Sequence, residues 1–198
     1  LRFASVQRRP KDMDIRDEKY PTFVNSQIAA SDYLIEVDAS GGVKKLGVYM
    51  LASKVDGVSL PGAFARVETA SWWTGEIDIY VLELLAGIYG ILMAIIHLQD
   101  VDTRGKIVHI RTDNSVALAG HLNGSTNTIS KSTSKILRLL YLIRALLLEH
   151  SDILFTFSYI NTHDNVFADT ISRDDLPSDE IVQALGSCTR YQMPSLYP

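Results

Sequence analysis

The apolar positions of this chain change period along its length, and each period predicts an element. "YLIEVD", Tyr33 to Asp38, is a short apolar run broken by "ASGG", the pattern of a buried strand. "KKLGVYMLASK" and "GVSLPGAFARVET" flank "VDGV". Asp-Gly between two strand-like runs predicts a hairpin, because a type I′ turn needs positive φ at both central residues. Pro61 makes the second arm an edge or bulged strand. "ASWWTGEID" reads as a loop, and the apolar run that follows predicts a long helix over 78–98. "KIVHIRTD" is a second buried strand, followed by a short helix from Asn114 to Leu122 that "NGSTNT" ends. Ile136, Leu139, Leu140, Ile143, Leu146 and Leu147 form the stripe of a helix over 130–150. "ILFTFSYI" is a further β-rich run, and Asp164 is expected to cap a last helix that runs to Ser172.

The order is β-β-β-α-β-α-α-β-α. A meander followed by strands with helical crossovers implies an α/β domain, a mixed five-stranded sheet covered by helices. The domain is expected over 28–175, between an N-terminal arm or linker (1–27) without apolar periodicity and a C-terminal tail (176–198) without a clear period.

Composition narrows the function. With 46% hydrophobic and 21% charged residues the chain suits a packed globular domain. Its net charge of −4 is the wrong sign for a protein that grips nucleic acid unaided, so any such binding needs a local patch or a partner. One cysteine, Cys188, excludes an intramolecular disulfide and a thiolate zinc cluster; it favours a reducing, intracellular compartment, cytoplasm or nucleus. The first residue is Leu, so a piece of a longer protein is expected. Ile79 to Leu98 is long and apolar enough to cross a membrane but holds a carboxylate, Glu83. No basic-apolar signal precedes it, and a core helix, apolar all round, is the expectation.

Four acids fall at informative places. Asp38 and Asp113 end strands beside small or turn-forming residues, where a crossover begins and α/β proteins place their sites. Glu83 lies in the first turns of the long helix, on one face with Ala86, Gly87, Gly90 and Ala94. Glycine inside a helix costs up to about 1 kcal/mol relative to alanine, which close packing of that face on a sheet would offset. Asp169 sits in the last helix. Each acid alone has an ordinary explanation as a turn residue, a cap, a solvated position or a dipole partner. Together, converging carboxylates resist burial unless a cation compensates them. Mg²⁺ is the natural cation of an all-oxygen site, and two ions about 4 Å apart can assist phosphodiester cleavage.

The segments "IEVDAS", "VLELLAGIYGI", "VHIRTDNSVAL" and "YINTHDNVFADTISR" carry these acids. In that order they resemble the type 1 RNase H domain in its retroelement form, most like the DIRS-like, LTR-retrotransposon-like or hepadnavirus-like reverse transcriptases. The resemblance covers about Tyr33 to Arg173. It implies an RNase H-like fold and an Asp38–Glu83–Asp113–Asp169 cluster binding two Mg²⁺, for which Mn²⁺ can substitute. It further implies cleavage of the RNA strand of an RNA–DNA hybrid, with the polymerase part of the same polyprotein or a larger assembly as partner and no membrane. Acid order supports this reading. Integrases and transposases place their Glu after both Asp residues, and proofreading exonucleases carry Asp-x-Glu on strand one, here reversed as Glu36-x-Asp38. A non-catalytic RNase H-like scaffold or nucleic-acid clamp is the competing expectation, and four intact acids argue against it.

Lesser candidates surround this core. His163, in the loop where cellular members of the family carry a mobile His, is a possible general acid or base, against the default of an exposed loop residue. Glu36 shares the strand face of Asp38 and is a candidate fifth acid near the metals, against the commoner outcome of a residue at the margin of the site or satisfied locally. Asn114, Ser115, Lys131, Lys135 and Arg138 are possible nucleic-acid contacts, the three basic residues sharing one helical face that is equally a plain solvated one. Trp72 and Trp73 are expected to pack the start of the long helix rather than to stack on substrate. An exposed part of the 131–149 helix would serve a partner.

Overall fold

The computed structural model describes residues 20–69, 77–123, 133–173 and 178–196. The elements, in chain order, are α1 (Tyr20–Ala30), β1 (Tyr33–Ser40), β2 (Lys45–Met50), β3 (Ser53–Val55), β4 (Val58–Leu60), β5 (Ala63–Glu68), α2 (Ile79–His97), β6 (Ile107–Thr112), α3 (Ser115–Asn123), α4 (Thr133–Glu149), β7 (Leu154–Tyr159), α5 (Val166–Ser172), α6 (Asp179–Gly186) and β8 (Thr189–Arg190).

Among the described residues the main sheet has six strands, in the order β7-β6-β1-β2-β5-β8. β1–β2 and β2–β5 are antiparallel; β1–β6, β6–β7 and β5–β8 are parallel. Alternation along the strands divides the sheet into two unlike faces. On one, Ile35, Val37, Val48, Met50, Val108, Ile110, Phe155 and Phe157 are buried. α2 covers this face: a Cβ added at Gly90 would touch Val37 and Ile110. α2 is apolar enough for a membrane span by length and composition, yet most of it is buried inside the fold, as expected of a core helix. The other face carries Glu36, Asp38, Gly47, Tyr49, His109 and Arg111, and α5 lies on its β1–β2 part. There the His109 ring is held by the Thr156 and Ser158 hydroxyls at 2.7 and 2.8 Å.

The structure differs from the sequence expectations in four places. The sheet has a sixth strand. Thr189 N–H donates to Gly62 O (2.8 Å) and Tyr191 N–H to Phe64 O (2.9 Å), so the C-terminal segment covers the β5 edge. That segment also contains α6, whose Ser178 side chain accepts from Ile181 N–H; a Ser cap followed by Asp179 and Glu180 is a start signal with too short an apolar pattern behind it. Within the stretch expected as an arm, α1 is helical, with Pro21 in its first turn where a missing N–H does no harm. The Asp-Gly turn forms as expected, with φ of 51° at Asp56 and 83° at Gly57, but its arms are only three residues long and make a separate two-stranded sheet. Pro61, which has no N–H to donate, falls between β4 and β5 and detaches this hairpin from the main ladder.

Candidate active site

β1 and β6 run parallel with Val37 opposite Thr112, so Asp38 and Asp113 leave the same edge of the sheet at the same level. α2 begins beside that edge, capped by Asp78, whose side chain accepts from Tyr80 N–H at 3.1 Å. Glu83 therefore stands early in a helix packed on β1. One carboxylate oxygen from each of Asp38, Glu83 and Asp113 lies within 4.8 Å of the other two.

Burial is severe. Asp38 and Glu83 are each 4% exposed, and Asp113 is half-buried. Burial pushes the Asp38 carboxyl up to about 6, with the Asp113 and Asp169 charges adding to it and the Ser172 hydroxyl and Arg173 opposing. Burial, then the charges of Asp38 and Asp113, hold the Glu83 carboxyl well above the usual carboxylate range, although the Ala39 N–H donates to it. Its Oε2 is buried without a hydrogen-bond partner. Three converging carboxylates, one with an orphaned oxygen, fit a hard divalent cation: oxygen is the donor such ions prefer, and the ion offsets the mutual repulsion of the ionised acids.

Asp169 stands apart from this trio. It is half-buried in the first turn of α5; its Oδ1 accepts from Arg173 Nε at 2.7 Å and lies 2.6 Å from Nη2 of the same arginine, an ion pair. Its charge nonetheless reaches Asp38. α5 is seated by four features. Asn165 Nδ2 donates to Val37 O at 3.0 Å. Phe167 stacks on Tyr49 with ring centroids 4.4 Å apart. Ser172 Oγ donates to Asp38 Oδ2. Gly47, paired with Asp38, leaves room for the helix backbone: a Cβ there would overlap Ala168 O and lie 2.8 Å from Ser172 N.

The lesser candidates divide. Asn114 caps α3, its Oδ1 accepting from Val116 and Ala117 N–H at 3.1 and 2.9 Å, and Ser115 is exposed beside it. His163 is exposed in the β7–α5 loop, and Arg138 is exposed on α4. The Lys135 backbone is helical; its side chain, Lys131, Trp72 and Trp73 lie outside the described residues. Glu36 is satisfied locally by an ion pair with Arg111, its cross-strand neighbour. Asp164 does not cap α5; the cap position belongs to Asn165, whose amide is turned to Val37 instead. On α4, Tyr141 and Leu148 are exposed, as expected of a helix with more apolar surface than its core stripe.

The sequence assigns no role to Gly47, Asn165, Ser172 or Arg173, although the last three lie in the "YINTHDNVFADTISR" segment that carries the resemblance. A glycine inside a strand signals close backbone approach, so Gly47 was legible in principle. The small face of α2 reads as one surface against the sheet, but its two glycines divide: Gly90 faces the sheet and Gly87 faces α3. A Cβ at Gly87 would overlap the ring of His121 on α3, which stacks on Phe157 at 4.8 Å.

No family model and no curated protein matches the chain. Among solved structures, the RNase H1 LC11, isolated from compost by a metagenomic approach, matches with TM-score 0.50 at 18% identity, over 71% of this chain and 92% of that one. A structure of LC11-RNase H1 in complex with an RNA/DNA hybrid matches with TM-score 0.48 at 18% identity, over 70% and 92%. RNase H1 from the halophilic archaeon Halobacterium salinarum matches with TM-score 0.46 at 16% identity, over 70% and 92%. The chain has a mixed α/β fold of the RNase H type, with three acids gathered at the edge of its central strands.

Proposed function

We propose that this protein is a metal-dependent endoribonuclease that cuts the RNA strand of RNA–DNA hybrids, as the RNase H module of a reverse transcriptase. The convergence of Asp38, Glu83 and Asp113 within 4.8 Å, on an RNase H fold, carries this reading. The reverse-transcriptase context is supported by the "TDN" and "ADTISR" segments, which are most like those of retroelement enzymes.

In this reading Asp38, Glu83, Asp113 and Asp169 hold Mg²⁺ or Mn²⁺. Such ions, when bound, neutralise charge on a phosphodiester and favour in-line attack by water. The chain's own contribution is placement. Ser172 fixes Oδ2 of Asp38 and the Ala39 N–H fixes Glu83, so two ligands are held without reorganisation. Asp113 and Asp169 are the less buried pair and mark the side from which a phosphodiester arrives. Asn114 and Ser115, at the start of α3, adjoin Asp113 and reach for backbone phosphate. The strand to be cut is selected by its 2′-hydroxyls and A-like shape. In the same reading His163, exposed ahead of α5, carries protons to or from solvent.

The test is cleavage of a hybrid labelled on each strand, with Mg²⁺ or Mn²⁺, by wild type and Asp113→Asn within the full parent protein. Internal cuts in the RNA strand by wild type alone are expected. No cleavage by either would leave a nucleic-acid clamp as the better reading, and stepwise loss of single-stranded DNA from one end would indicate an exonuclease.

A further inference from the structure

We infer that Arg173 is a cationic placeholder, one that holds Asp169 while no divalent ion is bound and turns to a phosphate of the nucleic acid when the ion takes that carboxylate. The inference rests on the function proposed above and deepens it by assigning a residue that the sequence motifs left without a role.

Arg173 directs both Nε and Nη2 at a single oxygen of Asp169, at 2.7 and 2.6 Å. Its charge also acts on Asp38, so the guanidinium lies within the field of the acidic cluster. It is nonetheless 49% exposed, immediately after a helix whose seat is fixed by other residues. Asn165, Phe167 and Ser172 anchor α5 by their contacts with Val37, Tyr49 and Asp38. Reorientation of the arginine head therefore does not require the helix to move. A divalent ion at Asp169 and a guanidinium on the same oxygen would repel each other, so the two occupancies compete. The planar donor fork, once released on the open side of the site, matches the oxygens of a phosphate. In a chain of net charge −4, such a cation at the site edge offsets part of the repulsion toward a polyanion.

Competition and phosphate contact predict effects of opposite sign on removal of Arg173. Divalent-ion affinity is measured by calorimetry without nucleic acid, using Mg²⁺, and hybrid binding is measured in Ca²⁺ at several salt concentrations. Arg173→Ala should bind the ion about 3–10-fold more tightly, as a competing cation has gone. It should bind the hybrid about 10-fold more weakly, with the salt slope reduced by about 1. Arg173→Lys should keep the slope. Arg173→Gln, with its melting temperature recorded, separates loss of charge from loss of fold. Unchanged or weaker ion binding by both neutral variants, or an unchanged salt slope, would reduce Arg173 to a strut at the helix end. Wild type that binds neither ion nor hybrid overturns the functional reading, and this inference with it; wild type that binds both while the variants behave identically to it overturns this inference alone.

Discussion

Ser172 Oγ donates to Asp38 Oδ2 across 134 positions of chain, and this bond ties the last helix of the site to its first strand. The hydroxyl is one of two influences that pull the Asp38 carboxyl down against burial. Without it Asp38 ionises at higher pH, and an ionised Asp38 is what a cation needs. Ser172→Ala should therefore move the acid limb of the pH–rate profile to higher pH and weaken Mg²⁺ binding by about 3–10-fold, the scale of the roughly 0.5–1.5 kcal/mol that one intramolecular hydrogen bond contributes net. Rates between pH 5.5 and 9 at saturating and limiting Mg²⁺ read both effects. A profile that superimposes on wild type would leave Ser172 with a packing role only.

Stability of the metal-free protein gives a second prediction. The Asp38 carboxyl lies at about 6 in the fold against 3.8 unperturbed, and Glu83 is shifted in the same direction. A carboxyl raised by folding contributes stability that is fully present below its unfolded value and lost as pH rises through its folded one. For Asp38 the loss runs from about pH 4 to just above 6 and is on the order of 2–3 kcal/mol. The buried rings of His109 and His121, both depressed to about 4, work in the opposite sense over the same range. The comparison that isolates the acid is thus Asp38→Asn against wild type. The variant's advantage in melting temperature should grow from pH 5 to pH 8, and saturating Mg²⁺ should close the gap at pH 8. A gap independent of pH would mean that the cluster is not strained by its own charge.

How much of this was legible beforehand follows from the range of each interaction. The long helix, the buried strands and the Asp-Gly turn declare themselves through local pattern, and Asp38, Glu83 and Asp113 stand out because acids at strand ends and in apolar helices are costly without a purpose. Contacts made across the fold left no local trace. His121 gives no sign from its neighbours in sequence that it fills the notch opposite Gly87, nor Asn165 that its amide belongs to Val37 rather than to its own helix. β8 is two residues long, and only the waiting β5 edge makes it a strand. The Arg173 pairing is local, four residues from Asp169, but an i,i+4 pair on a helix is so common on solvated faces that its place at the site becomes visible only in three dimensions.

Gly47 is the strongest case of a residue whose meaning is geometric. It pairs with Asp38 in the β1–β2 ladder and faces α5. An added methyl would overlap Ala168 O and crowd Ser172 N, and these are backbone atoms that cannot rotate aside as a side chain would. Gly47→Ala gains up to about 1 kcal/mol from reduced backbone freedom, less than the roughly 1–3 kcal/mol that overpacking costs. The helix has to lift, taking Ser172 off Asp38 and carrying Asp169 and Arg173 outward, while Asp38, Glu83 and Asp113 remain on β1, α2 and the end of β6. The variant should therefore keep a divalent-ion site, weakened by less than about 10-fold, yet lose about 100-fold or more in cleavage rate, the scale on which a 1 Å misplacement acts. Calorimetric ion binding beside single-turnover cleavage separates the two. Wild-type cleavage by a folded Gly47→Ala protein would show that the chemistry needs only the three acids of the sheet and α2, and that α5 serves the fold alone.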